Sequence, residues 1–221
     1  MQRDVHTLSL QAPPATRPEA GAIALEQQWL NRLMGNFTWM DCRLARLARS
    51  GERILELGAG RGDLGFALAA RGSPGSYAGV DHCPRPAGWP EDWAWWATDP
   101  LDFQHYDRFP VVTANLFLHR LSPEELAALG RTLRRSARVI LATTPARRKR
   151  HLWQLAVLGA MGLSRTTRRF ARAGVRAGFV GNELPQALGL SPRDWTWTIS
   201  LDWRGAYRME AVRRPRLAAR A

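Results

Sequence analysis

At 221 residues, 45% hydrophobic and 23% charged, the chain has a globular balance and can build one sizeable core but not two large ones. Its formal net charge of +13 is far from ordinary, and the surplus is local: Arg131 to Arg176 carries thirteen Lys or Arg and no Asp or Glu. Such a segment predicts an electropositive face for nucleic acid, anionic lipid or an acidic substrate. The two cysteines, Cys42 and Cys83, lie far apart in a chain without a basic, apolar leader, which predicts reduced thiols and a cytoplasmic location. No apolar run reaches the roughly 20 residues that span a bilayer. The longest, Leu152 to Leu163, is broken by Gln154 and two glycines; it suits a membrane-peripheral position, not a spanning one.

Taken in order, residues 1–21 are polar, contain Pro13, Pro14 and Pro18, and predict a flexible tail. Ile23, Leu25, Trp29, Leu30, Leu33 and Met34 fall at helical spacing, and a second helix is predicted from Thr38 to Ala48 with Met40, Leu44 and Leu47 on one face. Arg53 to Gly65, RILELGAGRGDLG, then reads as strand, tight turn and helix. A turn this rich in glycine lets backbone approach a ligand at a helix N-terminus. Gly58, Gly60 and Gly62 give GxGxG, whereas Gly60, Gly62 and Gly65 give the GxGxxG of a dinucleotide site. The first glycine should follow the strand directly, which sets it at Gly58 and leaves Asp63 where a dinucleotide site needs its third glycine. With Asp63 at the helix start and Glu56 just before the turn, a cationic or zwitterionic ligand suits the site better than a pyrophosphate.

Downstream, Tyr77-Ala-Gly-Val-Asp81 is a short strand ending in an acid nineteen residues beyond Gly62, where a carboxylate can accept from both ribose hydroxyls of an adenosine cofactor. Dinucleotide enzymes place an acid there too, so Asp81 alone does not separate the readings. Pro84, Pro86 and Pro90 predict a loop or a single turn instead of a connecting helix. Trp93, Trp95, Trp96 and Ala97 form a third strand that ends at Thr98-Asp99, its tryptophans packing in the core or on the sheet face. Val111 to His119 reads as a buried fourth strand that leads to a helix from Pro123 to Leu133, with Ser122 as N-cap and Glu125 completing a capping box. Val139 to Thr143 is a fifth strand, Asn182 to Leu188 a further helical turn or two, and Trp195 to Trp203 with Ala206 to Val212 a hairpin around Arg204-Gly205. Alternating strands and helices imply a parallel sheet with ligands at its carboxyl ends. The domain division expected is a tail (1–21) and one domain (22–221), made of N-terminal helices (22–50), a core (51–146), a basic segment with a helix (147–190) and a C-terminal hairpin (191–213). His82 and Cys83 have no partner pair at zinc spacing, so no metal site is expected.

Glu56-Leu-Gly58-Ala-Gly60-Arg-Gly62 resembles motif I, E/DxGxGxG, of the class I S-adenosylmethionine-dependent methyltransferases, and the resemblance extends from about Ile54 to Val212. It implies a Rossmann-like α/β sheet of five parallel strands plus an antiparallel hairpin, flanked by helices, with residues 22–50 as a helical cap and 147–190 as a basic lid insertion. It also implies S-adenosylmethionine as methyl donor and S-adenosylhomocysteine as product. On this resemblance Glu56 meets the methionine part with Gly58, Gly60 and Gly62 close by, Asp81 holds the ribose, and Asp99 accepts from the adenine amino group, with Asp102 the close alternative. Asn115 and Leu116 complete the cofactor wall. The string Asn115-Leu-Phe-Leu-His119 resembles motif IV of the small-molecule methyltransferases, among them the quinone-biosynthesis group, and not the Asn/Asp-Pro-Pro-Tyr of nucleobase N-methylating enzymes. His119 is then the candidate general base, although a His after a strand can equally be a loop or capping residue. The expected reaction is O- or C-methylation of a small apolar, aromatic or lipid-like acceptor, with peripheral contact to an anionic membrane surface left open. Two other readings stand beside it: an RNA methyltransferase that binds phosphates through the Arg131–Arg176 face, and a catalytically idle S-adenosylmethionine-binding module. No oligomeric state follows from the sequence.

Overall fold

Short runs of β-branched, aromatic and aliphatic residues supply seven strands: β1 (Ile54–Leu57), β2 (Tyr77–Asp81), β3 (Ala94–Ala97), β4 (Val111–Asn115), β5 (Val139–Pro145), β6 (Trp195–Leu201) and β7 (Ala206–Arg213). The structure, a computed structural model, describes residues 1–5, 17–72, 75–160 and 162–215. Between and before the strands run the helices α1 (Arg17–Leu33), α2 (Asn36–Leu47), α3 (Asp63–Ala69), α4 (Pro123–Ser136), α5 (Lys149–Ala160), α6 (Arg165–Ala177) and α7 (Glu183–Ala187). The strands form one sheet in the order β3-β2-β1-β4-β5-β7-β6, parallel except that β7 is antiparallel to both β5 and β6. Chain order reverses between β1 and β4, and the carboxyl ends of those strands open the crevice in which ligands bind in such sheets.

Side-chain alternation sorts the core into two layers. Leu55, Leu57, Ala78, Val80 and Val112 face Leu126, Leu129 and Leu133 of α4 and Leu184 by α7. Ile54, Tyr77, Val111 and Leu141 face Phe37, Met40 and Leu44 of α2 and Leu64 and Leu68 of α3, with Trp89 and Trp93 closing the edge. Helix α4 starts with the expected capping box: the Glu125 N–H donates to Ser122 Oγ at 3.1 Å, and the Ser122 N–H donates to Glu125 Oε2 at 2.7 Å.

The expected strands and helices are present, with local differences. Helix α1 begins at Arg17, inside the stretch read as tail, while residues 6–16 of that stretch lie outside the described residues. The described first residues dock instead of trailing: the Asp4 N–H donates to the Arg176 carbonyl at 3.2 Å. Trp93 precedes β3 and packs into the core. It joins Tyr77 and Trp89 in an aromatic cluster with ring centroids 4.7 and 5.5 Å away. Strand β4 ends four residues before His119, because Leu116 turns to φ 53° and a 3-10 turn, Leu118–Arg120, follows. Strand β5 runs on to Pro145 because β7 pairs along its whole length.

Candidate cofactor and acceptor site

The glycine turn after β1 is held by its neighbours across the sheet end. The Gly58 and Ala59 N–H groups donate to the Val80 carbonyl at 2.9 and 3.2 Å, and the Gly60 N–H donates to Asp81 Oδ2 at 2.9 Å. Gly58 and Gly60 both have left-handed backbone, φ 64° and 59°, but for different reasons. A Cβ at Gly58 would overlap the Phe117 ring, whereas one at Gly60 would meet nothing within 4 Å. Gly62, under the Trp89 ring, leads into α3, whose first residue Asp63 accepts from Gln28 Nε2 at 2.6 Å, so α1 is tied to the turn.

Three carboxylates converge on this turn. Glu56 is buried on the Tyr77 face of β1 and accepts from the Tyr77 hydroxyl at 2.9 Å. Burial pushes its pKa up from the usual 4.5 to about 8; the Tyr77 hydrogen bond opposes that rise, and the charges of Asp63 and Asp81 add to it. The buried Asp81 accepts from Gly60 and, at 2.9 Å, from the Cys83 N–H. Asp81, His82 and Cys83 bring potential ligand atoms within 4.8 Å of one another. Burial and Asp81 also push the Cys83 thiol up to about 11. Asp99 follows β3 at the same sheet end but is exposed, and its Oδ1 accepts from the Leu101 N–H at 2.8 Å within its own turn.

At the end of β4 the chain is drawn tight. Asn115 Oδ1 accepts from the Thr143 hydroxyl at 2.7 Å, and the Leu116 N–H donates to the Thr143 carbonyl at 2.9 Å. Leu116 is the one non-glycine residue with left-handed backbone among those described, and strain of this kind clusters at functional sites. It turns the chain so that His119 sits buried in the 3-10 turn, a correction to its placement on the strand. His119 Nδ1 is buried without a hydrogen-bond partner. Burial drives the imidazole pKa down to about 3, with Arg120 and Arg3 adding to the fall. Arg3 was not legible as a site residue. Its guanidinium donates to the carbonyls of Ala177, His119 and Leu121 at 3.0, 3.3 and 2.7 Å and lies 4.6 Å from the centre of the Phe179 ring.

Beyond Leu116 and His119 opens a cavity of about 330 Å³. Leu30, Met34, Leu155, Leu158, Phe170 and Val175 give it apolar walls from α1 and the turn after it, α5 and α6, and Pro145, Gln154, His151 and Arg204 complete the lining. The cap therefore joins helices distant in sequence. Glu26 of α1 accepts from the Ser164 hydroxyl at 2.6 Å, and Gln154 Nε2 donates to the Trp203 carbonyl at 3.0 Å. The basic segment, by contrast, does not form a single face. Arg134 donates to the Leu188 carbonyl at 2.6 Å, Arg138 pairs with Glu52, and the buried Arg147 pairs with Glu183 and donates to the Gly178 carbonyl.

The residues at the β1 and β2 ends fit an adenosyl sulfonium. A cation among Glu56, Asp63 and Asp81 would relieve their repulsion, and the space beside Gly60 leaves room for a ligand. No protein-family model matches the sequence, and no curated protein does. Solved structures do match. The plantazolicin methyltransferase BpumL in complex with S-adenosylhomocysteine aligns over 90% of this chain and 92% of its own, with a TM-score of 0.67 and 12% identity. Its complex with a triazolic desmethylPZN analog and S-adenosylhomocysteine aligns over 90% and 92%, with a TM-score of 0.68 and 11% identity. The methyltransferase domain of bacterial CtHen1-C aligns over 81% of this chain and 97% of its own, with a TM-score of 0.58 and 12% identity. At such identities the likeness is one of fold. The chain has the Rossmann-like fold of the class I S-adenosylmethionine-dependent methyltransferases, with the antiparallel β7 between β5 and β6.

Proposed function

We propose that the chain is an S-adenosylmethionine-dependent methyltransferase that acts on a small apolar or aromatic acceptor through oxygen or carbon. The observation that carries the reading is the continuity of the two halves: the strained Leu116 and His119, at the end of β4 beside the glycine turn, are also the floor of the apolar cavity. Bound S-adenosylmethionine would supply an electrophilic methyl group. The chain's own part is then mainly positioning, which brings acceptor and donor within near-attack distance and excludes water. Glu56 and Asp63 would face the methionine end, and Asp81 would turn from the Gly60 N–H to the ribose hydroxyls. Asp99 would meet the adenine by leaving its turn. Asn115 holds the end of β4 to β5 through Thr143, and so keeps Leu116 in place.

His119 would meet the acceptor as an uncharged hydrogen-bonding group. A strong general base needs a partner that steadies its imidazolium, and the charges that act on His119 are those of Arg120 and Arg3, both cationic. That favours an acceptor whose proton is easily lost, or a carbon nucleophile activated within the acceptor itself. Calorimetry with S-adenosylhomocysteine tests the donor side: the wild-type chain should bind, and Asp81→Ala should weaken binding by at least about 2 kcal/mol through loss of charge-assisted hydrogen bonds. Unchanged affinity in the variant removes Asp81 from the ribose, and absence of binding to the wild-type chain ends the methyltransferase reading.

A further inference from the structure

Among the described residues seven large apolar side chains stand exposed, and six of them share one region. Leu25, Trp29 and Leu33 belong to α1, Trp153 and Val157 to α5, and Trp203 to the β6–β7 turn, while the seventh is Met1. Each of those three elements also walls the cavity. On α1 the exposed stripe recurs every four residues and runs beside the lining residues Leu30 and, just past the helix end, Met34, with Leu33 in both sets. On α5 the exposed Trp153 and Val157 sit one position before the lining residues Gln154 and Leu158, about 100° round the helix. The Trp203 carbonyl is held by Gln154. Single exposed apolar residues need no explanation, but a concentration around one apolar cavity does.

Cations lie beside the exposed stripe of α5. Arg148, just before the helix, and Lys149 and Arg150 in its first turn stand exposed, while Arg165, Arg172 and Arg176 are exposed on the face of α6 turned away from the cavity. Two acids near the rim are already engaged, Glu26 by Ser164 and Asp202 by Arg204 and Arg208. Exposed tryptophans and aliphatic residues next to arginine and lysine are the composition of a membrane-interface surface. A polyanionic RNA would use the cations but would leave Leu25, Leu33 and Val157 in water.

We propose that this rim docks on an anionic lipid bilayer and that the cavity draws its acceptor from the membrane. The docking needs no chemistry; the origin of the acceptor rests on the methyltransferase reading. The full chain should sediment with vesicles of equal parts phosphatidylcholine and phosphatidylglycerol far more than with phosphatidylcholine alone, and salt should weaken the binding. The double variant Trp153→Ser, Trp203→Ser should partition about tenfold less, with its melting temperature and S-adenosylhomocysteine affinity kept. Lys149→Glu with Arg150→Glu should erase the preference for anionic vesicles. Failure of the wild-type chain to sediment, unchanged partitioning of the tryptophan variant, or displacement of vesicles by single-stranded RNA would each overturn the docking. Loss of S-adenosylhomocysteine binding by the wild-type chain would strike only the methyltransferase reading, because vesicle binding is read separately.

Discussion

The two halves of the candidate site are built in opposite ways. Around the glycine turn, groups close in sequence meet through backbone: Gly58, Ala59 and Gly60 bond to Val80 and Asp81 at the adjacent strand end, and the Gly62 N–H donates to the Ala59 carbonyl. The cap is assembled from segments more than a hundred residues apart, such as Glu26 with Ser164 and Arg208 with the Met34 carbonyl at 2.6 Å, and its walls are side chains. The first kind of construction fixes where a donor sits to within a hydrogen bond. The second fixes only a shape and a polarity, which is the freedom needed to vary an acceptor on a constant fold.

The comparison breaks most visibly at the glycines. Gly58→Ala forces a side chain into left-handed backbone and into the Phe117 ring; together these should cost about 2–4 kcal/mol of stability, read as a lowered midpoint in urea. Gly60→Ala carries the same backbone strain without the overlap, so its loss of stability should stay near 1 kcal/mol. On the proposed reading its Cβ enters the space that would hold the donor, and S-adenosylhomocysteine affinity should fall at least tenfold, about 1.4 kcal/mol. Equal stabilities for the two variants would show that the Phe117 contact is not a constraint.

That asymmetry also explains what was legible in the sequence. The sheet could be read because strands, glycines and acids recur at fixed spacings: Glu56, Gly58, Gly60 and Asp81 converge because four residue pairs of the parallel β1 and β2 stand in register. The early end of β4 could not be read, since Leu is not a residue that announces a left-handed turn. Nor could Arg3, whose partners are backbone carbonyls that any sequence would offer. The Arg131–Arg176 surplus was legible as charge but not as a surface. Arg134, Arg138 and Arg147 are spent on carbonyls and carboxylates inside the fold, and that division depends on contacts far away in sequence.

A smaller effect probes the carboxylate cluster through pH. The folded pKa of Glu56 lies above its unfolded value, so its contribution to stability is fully present below about pH 4.5 and is lost as pH rises through about 8. A bound cation favours the ionised carboxylate, so binding should expel a proton below pH 8. Affinity for S-adenosylmethionine should then climb with pH towards tenfold per unit, about 1.4 kcal/mol, and level off above 8. Calorimetry in two buffers of different ionisation enthalpy reads this proton directly at pH 7, and Glu56→Gln should abolish it. A wild-type chain that releases no proton would place the cation away from Glu56.

The smallest effect tests the join between the halves. Arg3 ties the end of α6, which walls the cavity, to the turn that carries His119, and it is half-buried there. Arg3→Ala removes three hydrogen bonds but leaves carbonyls that water can reach, so stability should fall by only about 1 kcal/mol. Its charge also lowers the His119 pKa, and because the folded value lies below the unfolded 6.5, His119 costs stability as pH falls below about 6.5. Removal of the charge should raise the imidazole pKa, measured by NMR titration, and soften that acid loss. Turnover should drop while the KM for S-adenosylmethionine holds, because the residues proposed to hold the donor at the β1 and β2 ends are untouched. Arg3→Lys should keep the charge effect on His119 and lose the threefold clamp, since a lysine cannot reproduce the guanidinium fork. If Ala and Lys shift the imidazole alike, Arg3 acts through the geometry of the turn, and the cap holds His119 by shape alone.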